Sequence, residues 1–204
     1  MMELKENTSL KKRKYNMVFE DNYYQDGSHK RPIYRIVADD DFVLQTGEVV
    51  KKGDRGGLIE LEYNLSQEGN CWVKEGLVCG LAKVKDSALV MQDFSSKNEL
   101  GPLVTDTAVV EGYARIIGGL VTDKSVVRGN CEVRGYLAGK TVLDGNIVVG
   151  KDAFVSNAIL SGNHKIAKNK RIVGQNAANR LMGKKSVLSK FVKKDKEENT
   201  LGKE

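Results

Sequence analysis

From Val78 onward, aliphatic residues recur every six positions, each followed four places later by a small residue: Val78 with Ala82, Val84 with Ala88, Val104 with Ala108, Val110 with Ala114, Val121 with Ser125, Val127 with Cys131, and Val149 with Ala153. Seven matches to one template mark an internal repeat. A helix face recurs at 3.6 residues and a strand face at 2, so a period of six belongs to neither alone. It fits a chain that runs briefly as a strand, turns a corner and repeats, with three sides closing a triangular coil of about eighteen residues. The aliphatic residue fills the interior of each side and the small residue lies near the corner, where the interior narrows. Gly112, Gly129, Asn130 and Gly150 make the bends.

A longer repeat predicts how whole coils stack. Val104–Ile116 (VTDTAVVEGYARI) aligns without gaps to Val121–Val133 (VTDKSVVRGNCEV), an offset one short of three hexads, with the missing residue at Ile117-Gly118-Gly119. In that register Glu111 lies beside Arg128 and Arg115 beside Glu132, opposite charges on neighbouring parallel strands about 4.8 Å apart.

Two interruptions stand out. Residues 91–103 break the hexads, contain Pro102 and predict a projecting loop, while residues 135–141 (GYLAGKT) predict a smaller bulge. Solenoid insertions fall on the outside, where binding functions often sit. Ahead of the repeat, residues 1–14 read as a flexible basic arm and 15–70 as a small β-rich N-terminal module of short alternating runs and glycine turns. The solenoid is expected over 71–174. After Ile172 the hexads stop, and 175–204 carries a helical pattern (Leu181, Val187, Leu188, Phe191, Val192) interrupted by Gly183, then a basic tail. A helix there would cap the last apolar layer.

Composition changes the picture in one respect. The 204 residues carry a net charge of +6, but residues 1–14 hold five Lys/Arg against two acids and 165–204 hold twelve against four. The stretch between them has sixteen Lys/Arg and twenty-one Asp/Glu, so the body is acidic and the ends are basic. Weak, salt-sensitive nucleic-acid contact is therefore expected of the tails and not of the body. Three cysteines, Cys71, Cys79 and Cys131, lack metal-ligand spacing, so neither a disulfide framework nor a metal site is expected. No apolar leader and no run of roughly twenty apolar residues is present, which makes a cytoplasmic protein the expectation.

The hexads resemble those of hexapeptide-repeat, left-handed β-helix proteins over roughly residues 71–172. A more particular resemblance lies upstream, where KKGDRGGLIELEYNLSQEGNCWV (Lys51 to Val73) is similar to the leading segment "KGDxGGWIExExNLSxEGNCWV" of a group of bacterial and prophage-encoded β-helix proteins; Leu58 stands where that pattern has Trp. The resemblance implies an all-β fold, a left-handed parallel β-helix of about five coils between the N-terminal module and a capping helix. It also implies a homotrimer with ligands between subunits. Many such proteins are acyltransferases using acyl-CoA, and some phage versions are similar to sponges that sequester cyclic nucleotides.

Acyl transfer needs a general base, and only His29 and His164 are available. His29 sits in a polar turn ahead of the coils, and His164, in SGNHKI at the end of the repeat, is the candidate under that reading. The competing reading is a non-catalytic protein that sequesters a small anionic ligand without a cofactor. Its candidate residues are Arg115, Arg128, Arg134, Tyr136 and Lys140, where an Arg or Lys would hold a phosphate while a ring stacks on a base. Arg115 and Arg128 already have ladder partners, which directs attention to Arg134, Tyr136 and Lys140. The Gly53–Gly57 turn (GDRGG) lacks the Lys-Ser/Thr ending of a P-loop.

Overall fold

The computed structural model describes residues 12–92 and 101–183. Most of the basic arm, most of the loop expected at 91–103, and the helical pattern and tail beyond 183 lie outside the described residues. The described chain is a parallel β-solenoid of about 6 turns, the left-handed β-helix-like fold that the family resemblance implies, closed by one helix.

Each turn has three flat faces with one aliphatic residue pointing inward from each. Face 1 stacks Ile59, Val78, Val104, Val121, Leu137, Val155 and Ile172; face 2 stacks Leu65, Val84, Val110, Val127, Leu143 and Leu160; face 3 stacks Val73, Val90, Ile116, Val133, Val149 and Ile166. All are buried. The predicted small residues, Ala82, Ala88, Ala108, Ala114, Ser125, Cys131 and Ala153, are fully buried at the corners. Backbone amides join neighbouring turns, as where Val109 N–H donates to Ser125 O at 2.9 Å and Arg115 N–H to Cys131 O at 2.8 Å. A column of β-branched residues suits this arrangement because their stiff side chains pack well on a pleated sheet.

The solenoid starts earlier than the hexads predict. After a long hairpin, β1 (Tyr15–Asp26) and β2 (His29–Ala38), and a small one, β3 (Phe42–Val43) and β4 (Val49–Val50), comes β5 (Arg55–Ile59). β5 pairs antiparallel with β2 on one side and parallel with Leu77–Val78 on the other. Residues 55–73 are therefore the first turn, not an appended module. The count rises from the expected five because spacing there is irregular: inward Ile59, Leu65 and Val73 are six and then eight positions apart. The small hairpin lies over face 3, where it buries Trp72 against Phe42, with ring centroids 5.3 Å apart. Gln45 Nε2 donates to Ser87 O at 2.8 Å from the same hairpin.

The expected bulge at 135–141 is a correction in the opposite sense. Tyr136–Ala138 is a regular face-1 strand between Leu120–Val121 and Phe154–Ser156. Gly135 makes such a tight corner that only four positions separate inward Val133 from inward Leu137. A Cβ on Gly135 would lie 2.3 Å from Ala153 O, so only glycine allows the turn. Thr141 then occupies a corner slot, fully buried, with its hydroxyl donating to Ala138 O at 2.6 Å.

At the far end, α1 (Gly174–Leu181) buries Ala178 and lays Ala177, Leu181 and Met182 against the last turn. It ends at Gly183, whose left-handed φ of +67° suits a helix terminator. Gln175 covers exposed sheet edge as well: its side-chain amide accepts from Ile159 N–H at 2.8 Å and donates to Ile159 O at 3.0 Å, as a further strand would.

Candidate ligand-binding site

The charged residues predicted for an anion site do not converge. Arg115 pairs with Glu132 at 2.7 Å, as the register predicts, and Arg134 turns back to the same carboxylate at 2.9 Å. Glu111 and Arg128 are neighbours as expected, yet Glu111 bonds Lys85 in the preceding turn at 2.6 Å and Arg128 bonds Asp144 in the following turn at 3.0 Å. The column thus runs Lys85, Glu111, Arg128, Asp144 with alternating sign. Hydrogen bonding to Glu111 raises the Lys85 pKa above its ordinary value.

Placement separates the candidates further. Arg115 lies on face 3, Arg134 just beyond it, Arg128 at the end of face 2, Tyr136 on face 1, and Lys140 at the corner between faces 1 and 2. Tyr136 and Lys140 are exposed. Lys124 N–H donates to Gly139 O at 3.1 Å, which sets Lys124 one turn below Lys140 on the same corner. Two carboxylates of this corner, Asp106 and Asp123, are engaged: Asp123 N–H donates to Asp106 at 3.1 Å and Gly139 N–H to Asp123 at 2.7 Å, while the Thr122 hydroxyl bonds Asp106. Of the predicted set, Lys140 shares its corner with Lys124, and Tyr136 lies on the adjoining face 1.

His29 opens β2 at the exposed end of the long hairpin. His164 is paired with Ile147 one turn below, so it occupies the corner slot that Ala88, Ala114 and Cys131 fill in other turns. It is half-buried, and among the described residues no carboxylate hydrogen-bonds its ring. Among the described residues no group of His, Cys, Asp and Glu could hold a metal ion.

A feature missed in the sequence lies on face 1. The residue before each inward aliphatic points outward, and on the first six rungs these residues are Leu58, Leu77, Leu103, Leu120, Tyr136 and Phe154, all partly or fully exposed. Six rungs make an apolar strip roughly 24 Å long on a flat sheet. Cations stand at both ends, Arg35 beside Leu58 and Arg171 stacked 4.5 Å over the Phe154 ring. The signal was present as recurrent Leu-Val pairs. Face 2 carries a lighter outward row of Val109, Val126, Val142 and Ile159. A separate cavity of about 140 Å³ between the small hairpin and face 3 is lined by Leu44, Val50 and Trp72, with the Glu48–Lys74 ion pair across its rim.

Compared with known families and with curated proteins, the chain matches no family model and no curated sequence. No described helix is long and apolar enough to cross a membrane. Most of the basic ends expected to contact nucleic acid lies outside the described residues.

Proposed function

We propose that this protein is a non-catalytic binding protein that self-associates through face 1 into a homotrimer and sequesters a small anionic, nucleotide-like ligand between subunits. The observation that carries the reading is the outward strip from Leu58 to Phe154. Contiguous apolar surface on a soluble chain marks an interaction site, and a straight, flat strip is best matched by another of the same length and flatness. Each Leu removed from water would contribute about 1.5–3 kcal/mol at full burial. Tyr136 lies on this strip and the Lys124–Lys140 corner borders it, so a neighbouring subunit would convert an open corner into a cleft with two cations and a ring.

The leading-segment resemblance supports a phage or prophage origin and work in the host cytoplasm. No cofactor is needed for sequestration. Acyl transfer from acyl-CoA with His164 as base is the alternative; among the described residues no carboxylate orients that ring, which favours binding over catalysis.

Light scattering on the purified full chain tests the assembly. A trimer is expected, with Leu120→Asp giving a folded monomer and Val126→Asp on face 2 remaining trimeric; a monomeric wild-type chain overturns the reading. Mass spectrometry of heat-released extract should show a phosphate-bearing small molecule that Lys124→Ala/Lys140→Ala loses. Thiol release from acetyl-CoA that disappears in His164→Ala would instead establish the enzyme.

A further inference from the structure

Where the arm joins the solenoid, an amine is packed directly against a thiol. Lys14 is only 8% exposed and Cys71 not at all. Lys14 Nζ lies 3.2 Å from Cys71 Sγ, and donates to Cys71 O at 2.9 Å and Gly69 O at 3.2 Å. The neighbouring Lys14 N–H and Tyr15 hydroxyl are tied to Gln67 and Leu65, which holds the lysine stem in place. Cys79 and Cys131 differ: their sulfurs face Thr105 Oγ1 at 3.3 Å and Gly145 O at 3.5 Å, with no amine of the described residues against them. Lys12 and Arg13, immediately before the pair, are exposed, so the pair lies where the chain passes from the surface into the first turn.

The geometry points to a redox modification site: a peroxide joins Cys71 Sγ to Lys14 Nζ through a sulfur–nitrogen bond, a sulfenamide that staples the arm to the first turn. The thiol first gives its proton to the Lys14 amine. The thiolate attacks one peroxide oxygen, the O–O bond breaks, and the departing hydroxide takes the ammonium proton to leave as water, giving the sulfenic acid and a free amine. The amine nitrogen then attacks sulfur and expels hydroxide, which leaves as a second water with the nitrogen's proton. One peroxide is reduced, and the thiol and amine together lose two hydrogens. Burial works in favour of the last step, because it lowers the Lys14 pKa and so favours the amine that attacks. It works against the first, raising the Cys71 pKa, an effect the adjacent Lys14 partly offsets. A sulfenamide is reversible by thiols, so the staple would open again under reducing conditions.

The test is peptide mapping of the full chain after treatment with hydrogen peroxide, denaturation and alkylation. The expected product is a crosslinked species containing both residues, lighter than the sum of the unmodified peptides by about two hydrogens as the condensation requires. It should be resistant to trypsin at Lys14 and return to separate peptides after dithiothreitol. Lys14→Arg, which keeps a cation but has no primary amine, should lose the crosslink while Cys71 oxidises to sulfinic acid instead. Recovery of Cys71 in the oxidised wild type as an alkylatable thiol, or as sulfinic acid with Lys14 free, overturns the assignment, as does a crosslink that persists in Cys71→Ser.

Discussion

Asn64 donates from Nδ2 to the carbonyl oxygen of Ala82 at 2.8 Å, across one turn of the solenoid. The same amide donates to Gly80 O at 3.0 Å, while its Oδ1 accepts from Leu61 N–H at 2.7 Å and Glu60 N–H at 3.2 Å. Asn64 is fully buried, and its side chain makes four hydrogen bonds that join the irregular first turn to the regular second one.

Replacing it with aspartate keeps the shape and both acceptor bonds but takes the donor from one buried and one partly buried carbonyl and adds a charge. Asn64→Asp is therefore expected to cost about 3 kcal/mol or more. Urea unfolding should show a lower midpoint at an unchanged slope. A midpoint within experimental error of wild type would mean that the turn is held by its backbone alone.

Gly118 and Gly119 are adjacent at one corner yet predict opposite outcomes. A Cβ on Gly118 meets nothing within 4 Å, whereas on Gly119, at φ +75°, it would lie 2.0 Å from Gly135 O. Gly118→Ala should change stability by no more than about 0.5 kcal/mol. Gly119→Ala combines left-handed strain with a backbone clash and should cost about 3 kcal/mol or more. Paired thermal melts would read the contrast directly, and equal effects would refute the corner geometry.

The hexads made most of the interior legible: every aliphatic and every small residue of the seven predicted pairs is fully buried. What escaped them has physical causes. The first turn hides because eight positions, not six, separate Leu65 from Val73. The tight corner at Gly135 shortens one turn and breaks the period, so a regular strand looks like an insertion. His164 fills a corner slot four places after inward Leu160, where the template has Ala or Cys, and its polar neighbours mask that position. The candidate site was legible only in part, because sequence places Arg115, Arg128 and Arg134 within twenty positions while the triangular coil distributes them over two faces and a corner. Outward Leu77, Leu103 and Leu120 were overlooked because the period was read for its inward residues alone.

The charged columns offer a test of stacking. Glu132 holds both Arg115 and Arg134, and its side chain is 17% exposed against 40% for Arg115. Arg115→Glu sets two carboxylates side by side; adding Glu132→Arg restores opposite charges at that pair but sets a guanidinium against Arg134, so it should recover only part of the loss. A double-mutant cycle is expected to give a coupling of about 0.5–1 kcal/mol, shrinking as salt is added. Zero coupling at low salt would contradict the register of these turns.

Cys131 supplies a pH-dependent term. Burial, with a smaller push from the Asp144 carboxylate, raises its pKa from an ordinary 9.0 to about 11. In the unfolded chain the thiol ionises near its ordinary value while the folded state still holds its proton, so the folded state binds more protons in between. Stability from this group is complete below about pH 9 and is lost as pH rises through about 11. The two-unit difference corresponds to roughly 2–3 kcal/mol. Cys131→Ala is the suitable comparison, because alanine fills the same slot at Ala88 and Ala114 and leaves every other titrating group in place. Denaturant midpoints measured for both chains between about pH 8 and pH 11 should converge in the alkaline range, the wild type losing stability faster. Parallel curves across that range would show that the thiol ionises in the folded protein as readily as in the unfolded one.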